Sequence, residues 1–242
     1  MTKISDLRWR SALVEGFAVL LGITLAFSID AWWDLRSQRL ESAAYLYATR
    51  TELEANRRLI VQDLETIESW IAESAGYLNN VVAKGANPSY DAVRTMVWRT
   101  GPNQISPLLR AAIDDLISSG GVTLVESPEL RRSIAQYIRV MERDAGEQED
   151  VRQAFIQSVL PYHLEHASFA EYEWEEYVGV PATDTTFELD REAFVENRSY
   201  ANLLISRMLG YANLRDSHKA VLANIDATLS LIDGLGFDSE SE

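Results

Sequence analysis

Two histidines three residues apart, in the tetrapeptide "HLEH", have the most metal-like spacing in this sequence. His163 and His166 would share one face of a helix, with Glu165 between them. A working zinc site needs at least three placed protein ligands. No third ligand stands at a matching interval and Pro161 opens an irregular stretch, so no metal is expected. His218 is alone in the last helical stretch and reads as a surface residue. Paired carboxylates such as Asp114-Asp115 and Glu175-Glu176 are sequence neighbours, which diverge on a helix and cannot share a proton-transfer task. "SSGG" lacks the lysine that a phosphate loop requires, no G-x-S-x-G is present, and no serine has a convincing His and Asp. The absence of cysteine excludes disulfides, thiolate catalysis and Cys-ligated metals. The expectation is a non-enzymatic chain with no cofactor.

Residues suited to association are better represented. "EYEWEEY" interleaves four acids with Tyr172, Trp174 and Tyr177. It reads equally as a partner-binding strip anchored by aromatic rings, or as a loop whose rings cover the protein while its acids stay wet. In "VEGFAVLLGITLAFSIDAWWD", residues 14–34, Ala18, Gly22 and Ala26 recur every fourth position, with Glu15 and Asp30 at the ends of the same stripe. Small residues at that interval let a second helix approach closely inside lipid, where intramembrane carboxylates face protein. The partner would be another membrane subunit or a second copy.

Whether that stretch spans a bilayer depends on its flanks. Its uncharged core, Gly16 to Ile29, is short enough for a buried helix or the core of an export signal. Trp9 precedes it and Trp32-Trp33 follow it. At about 1.5 Å per residue, Trp9 and Trp32 stand roughly 34 Å apart on a helix, near the thickness of a hydrocarbon core with indoles at both interfaces. Arg8 and Arg10 then fall at headgroup level. Lys3, Arg8 and Arg10 followed by "AFS" would also suit a cleavable signal, but Glu15 interrupts its apolar region and the helical pattern continues past the cut. An uncleaved anchor is expected. Three bases flank each side, so orientation rests on the terminal amine, which favours a cytoplasmic N-terminus and a periplasmic C-terminal domain.

The elements beyond the anchor read as helices. Apolar residues recur at Leu46, Leu53, Ile60, Leu64, Ile67, Ile71, Ala75, Leu78 and Val82, and nothing breaks the chain after Asp34, so the anchor is expected to run on into a long bundle helix. Its opposite face, "ELEANRR" and "ESWIAES", reads as solvated. "KGANPS" is a loop before a short helix ending near Arg99. Ser106-Pro107 looks like a cap followed by a first-turn proline, Gly120-Gly121 like a stop, and "VTLV" like a β-prone connector. Ser127-Pro128-Glu129 starts a helix reaching about Leu160, residues 161–189 read as an irregular insert, and helix returns from Asp190. The domain plan is a tail at 1–10, a transmembrane helix at 11–33, an extramembrane bundle at 34–236 and an acidic tail at 237–242. The fold class is all-α: a transmembrane helix continuing into a long helix of an antiparallel bundle. With 37 acids against 22 bases the chain carries −15. Phosphate backbones would repel such a domain, so nucleic acid is not an expected partner.

The N-terminal stretch resembles an uncharacterised bacterial membrane-protein family that opens with a G-E-x6-G-I-x2-A-x2-I-[ND]-x-W type segment. Glu15, Gly22, Ile23, Ala26, Ile29 and Trp32 match it, while Val14 replaces the usual Gly. Tyr45, Leu46, Glu52, Leu53 and Asn56 fit the family's next helix, and Leu116, Ser118, Ser119, Gly120, Leu124, Glu129, Leu130 and Arg131 fit its middle segment. The resemblance implies a bacterial single-pass membrane protein with a helical domain, and supplies no activity, because the family has none established. Together these readings suggest an accessory, scaffolding or assembly subunit, with a sensor acting through a partner as the alternative and an enzyme without a recognisable motif third.

Overall fold

The computed structural model describes residues 3–100, 107–169, 179 and 187–235, with side chains from Glu15 onward except at 82 and 83. Within them the fold is an all-α helical bundle without strands. Helix α1, Lys3–Tyr77, is 75 residues long and ends in a π-helical turn, Leu78–Ala83. It is followed by α2 (Tyr90–Arg99), α3 (Ala111–Ser118), a 3-10 turn (Gly121–Leu124) and α4 (Pro128–Ala154). A second π-turn (Phe155–Val159) leads into α5 (Leu160–His166), and α6 (Arg191–Val195) precedes α7 (Arg198–Asp233).

Three long helices make the frame. α1 and α4 run parallel: Asn56 meets Tyr137, 81 residues away, and Asp63 and Asp144 keep that interval where both flank His218. α7 runs antiparallel to both, with Arg50 on Asp233, Arg57 on Asp226 and Lys219 on Glu68. The short descending limb through α3 returns the chain to the foot of α1 so that α4 can climb again. Core positions follow one rule in all three helices, steps of three and four residues. On α1 they are Leu46, Thr49, Leu53, Asn56, Ile60, Asp63, Ile67, Trp70 and Ser74, all buried. Each fully buried Leu or Ile among them contributes about 1.5–3 kcal/mol of apolar transfer. A second cluster, with Val93, Val97, Phe194 and Tyr200, closes the end of the bundle away from residue 35.

Local signals explain most boundaries. Ser89 accepts from the Ala92 amide at the start of α2, and Ser127 from the Leu130 amide ahead of Pro128 in α4. Gly120 turns the chain at φ 77°, a left-handed conformation that favours glycine. A Cβ on Gly121 would stand 2.9 Å from a Tyr45 ring carbon, so glycine lets this corner lie against α1.

Three expectations need correction, and one is refined. The "VTLV" connector is a short link as expected, but a 3-10 turn in place of extended chain, its Thr123 and Val125 amides bonding back to the Gly120 and Val122 carbonyls. Pro107 lies in non-helical chain ahead of α3, and Ser106 is outside the described residues. α3 is capped from a distance instead: the Glu52 carboxylate accepts from the Ala112 and Ile113 amides at 2.7 and 3.3 Å. Glu52 and Asn56 are therefore buried and not part of a solvated face. The region from 161 begins as helix α5, which carries the chain to His166.

Candidate functional site

The spacing of α1 places its first half outside the bundle. An 18-residue window near its start has a mean hydropathy of 1.6 with none of it buried, so this helix is long and apolar enough to cross a membrane. Phe17, Leu20, Leu25 and Phe27 are each more than 60% exposed, an apolar surface that no other described element covers. The two hydroxyls inside the stretch are satisfied locally: Thr24 donates to the Leu20 carbonyl at 2.8 Å and Ser28 to the Thr24 carbonyl at 2.7 Å. A polar group in hydrocarbon requires such internal pairing. Ala18, Gly22 and Ala26 share one face with Glu15, and apart from the adjoining backbone of α1 no described atom lies within 4 Å of a Cβ built on Gly22. Asp30 borders that face. Trp32 and Trp33 sit where the apolar stretch ends, and the Arg36 guanidinium lies 5.9 Å over the Trp32 ring. The side chains of Arg8, Trp9 and Arg10 lie outside the described residues, as do Tyr172, Trp174 and Tyr177.

Within the bundle, the unexpected features are polar layers. Asn56, fully buried, donates to the Leu109 carbonyl (2.7 Å) and the Tyr137 oxygen (2.9 Å), and accepts from the Leu109 amide (2.8 Å). Its amide group acts as a substitute peptide unit, pinning the segment before α3 onto α1. Burial pushes the Tyr137 phenol up to about 12 against the hydrogen bond from Asn56.

Seven residues along α1, Asp63 faces a second layer. His218 is fully buried, not on the surface as its sequence context implied. It lies in the 3-4 register of α7, on the side that packs between α1 and α4. Its Nδ1 is 2.7 Å from Asp144 Oδ1 and its Nε2 is 3.8 Å from Asp63 Oδ2, an ion-pair distance too long for a hydrogen bond. Gln148 donates to the other Asp144 oxygen at 2.9 Å. Burial alone lowers the His218 pKa; the hydrogen bond to Asp144 and the charges of Asp144 and Asp63 outweigh it and lift the ring to about 9. At pH 7 the layer is an imidazolium held between two carboxylates, one on each neighbouring helix. This charge constellation ties α7 to both of its neighbouring helices.

The "HLEH" histidines occupy α5 with separate surroundings. His163 is buried, with its Nε2 3.1 Å from the Thr100 hydroxyl, and burial together with the positive charge of Arg207 lowers it to about 4. His166 faces Asp190 at 3.4 Å. Among the described residues, no three His, Asp or Glu side chains are grouped to hold a metal.

A cavity of about 530 Å³ opens beside the Asp144 layer, walled by Leu108, Met141, Val151, Phe155, Arg207 and Tyr211. Arg207 is buried, its guanidinium 5.1–5.5 Å from the rings of Tyr211, Phe155 and Trp70, and burial lowers its pKa. The cavity is of small-ligand size. Asp144, at its edge, is engaged by His218 and Gln148; Glu149, paired with Arg152, and Glu142 also line it.

Hydropathy alone could not single out Asn56, Asp63, Asp144, Arg207 or His218. Their place in the 3-4 register is the sequence signal that marks them. Compared with protein-family models, with curated proteins and with solved structures, the chain finds no match.

Proposed function

We propose that this chain is a single-pass bacterial inner-membrane protein that works without catalysis, as an accessory, scaffolding or assembly subunit of a larger membrane complex, for example an energy-transducing one. The observation that carries the reading is the apolar, unburied first half of α1 running without a break into the bundle core. The likeness of residues 14–34 to the opening of an uncharacterised membrane-protein family points the same way. The N-terminus stands in the cytoplasm and the acidic bundle in the periplasm, where it covers a partner's surface.

Extraction in mild detergent followed by mass spectrometry of co-purifying proteins tests this reading. A stoichiometric foreign subunit supports it. Recovery in the aqueous fraction without detergent, or of this chain alone with a bound small molecule, overturns it. One observation favours a second reading, a sensor acting through a partner: α1 is a single rigid link from the bilayer to the His218 layer. Ligand-dependent cross-linking changes near Trp32 would select it over the first.

A further inference from the structure

The cavity beside the Asp144 layer joins features that the accessory-subunit reading does not use. Its volume of about 530 Å³ is the size that takes a small molecule. Leu108, Met141, Val151 and Phe155 give it an apolar lining. Phe155 opens the π-helical turn after α4, a departure from regular helix that recurs at ligand sites. Arg207 reaches the same wall from α7 while only 5% exposed, with an N–H donated to the Tyr211 hydroxyl at 3.1 Å.

That guanidinium sets the chemistry of an occupant. The rings of Trp70, Phe155 and Tyr211 crowd it at 5.1–5.5 Å, and its five N–H donors lie in one plane. A carboxylate accepts two such donors in parallel, a match that a neutral acceptor does not make. The acids on the wall do not oppose such a guest. Asp144 is 2.7 Å from His218, and Glu149 accepts from Arg152 at 2.7 Å. Exposed Glu142 adds to the raising of the Arg110 pKa that the hydrogen bond to Asp114 begins. Each carboxylate therefore has a cation beside it. In a chain of net charge −15, this is a balanced hollow with a buried cation in its wall.

We propose that this cavity binds a small carboxylate with an apolar body, the carboxylate on Arg207 and the body among Met141, Val151 and Phe155. Burial penalises the charge of Arg207, and a bound anion offsets that penalty within the same low-dielectric space. An amine in the same place would meet Arg207 with like charge. The occupant lies against Asp144, next to the layer that ties α4 and α7 to α1. The inference stands on the bundle and needs neither the anchor nor a foreign subunit.

Full-length protein in detergent micelles is dialysed to equilibrium against radiolabelled phenylacetate and, in a separate arm, octanoate, with empty micelles as the blank. One saturable site per chain is expected in at least one arm, and the tighter arm tells a ring from an acyl chain. The corresponding amides, the same bodies without the charge, compete at least about tenfold more weakly. Ala145→Trp, at an exposed position on the cavity wall, fills the space and removes binding while the melting temperature stays native. Arg207→Lys keeps the charge without the planar fork and weakens binding by about tenfold. Uptake no greater than by empty micelles in both arms, equal competition by the amides, or undiminished binding to Ala145→Trp overturns the proposal. Uptake by the purified chain tests the cavity alone, whereas a co-purifying foreign subunit tests the accessory reading, so either can fail without the other.

Discussion

Asp144→Asn is the sharpest test of the buried layer between α1, α4 and α7. The substitution keeps the shape of the side chain that receives His218 at 2.7 Å and removes its charge. In the native bundle His218 titrates at about 9 against an ordinary value of 6.5. At about 1.4 kcal/mol per pKa unit, that difference corresponds to about 3 kcal/mol of stability. The raised pKa sets the sign. Below pH 6.5 the ring is protonated folded and unfolded, and the whole contribution is present. Between 6.5 and about 9 only the folded state holds the proton, so stability falls as pH rises, and above about 9 the contribution is gone. Asp144→Asn leaves only the more distant Asp63 at 3.8 Å and should cost about 3 kcal/mol at pH 6.5, about 6–12 °C in Tm for a domain of this size. It should also flatten the decline between pH 6.5 and 9. Thermal melts followed by far-UV circular dichroism on the full chain in detergent measure both effects. A variant melting within about 2 °C of the native protein at pH 6.5, or a native protein with flat stability from 6.5 to 9, would refute the charged-layer assignment.

His163 supplies the opposite limb. Its depressed value of about 4 keeps the ring neutral when folded, so stability is lost as pH falls from 6.5 towards 4, and His163→Gln should flatten that limb in acid melts. Asn56→Leu strips partners from the Leu109 amide and carbonyl and from the Tyr137 hydroxyl, and should lower stability by about 2–4 kcal/mol, read as an earlier denaturant midpoint. Gly121→Ala pushes a Cβ to within 2.9 Å of Tyr45 and 3.0 Å of Leu116 and should cost about 1–3 kcal/mol; Gly22→Ala, with open space around it, should leave the bundle's melting unchanged.

Apolar periodicity alone makes the long helices legible: Leu46, Leu53, Ile60 and Ile67 on α1, and Tyr211, Leu214, Val221, Ile225 and Ile232 on α7, are core residues as their spacing implies. The caps at Ser127-Pro128 and the stop at Gly120 were equally readable, because they act within a few residues of themselves. Ser106-Pro107 carries the same signature, yet α3 starts later, since the Glu52 carboxylate reaches across from α1 and sets its first turn. A cap supplied over that sequence distance leaves no local mark.

Sequence alone therefore determined that the chain is helical, that its first helix has a stretch apolar enough for a bilayer, and which faces of its long helices are greasy. Tertiary structure decided which polar residues go inside with them. Asn56, Asp63, Asp144 and His218 have the hydropathy of surface residues, and each is tolerable in the core only because its partners arrive on other helices, up to 155 residues away for Asp63 and His218. The register of α1 against α4 and α7 follows from the same cause. Apolar seams slide past one another at little cost, whereas a buried imidazolium fits only in the register that brings both carboxylates to it.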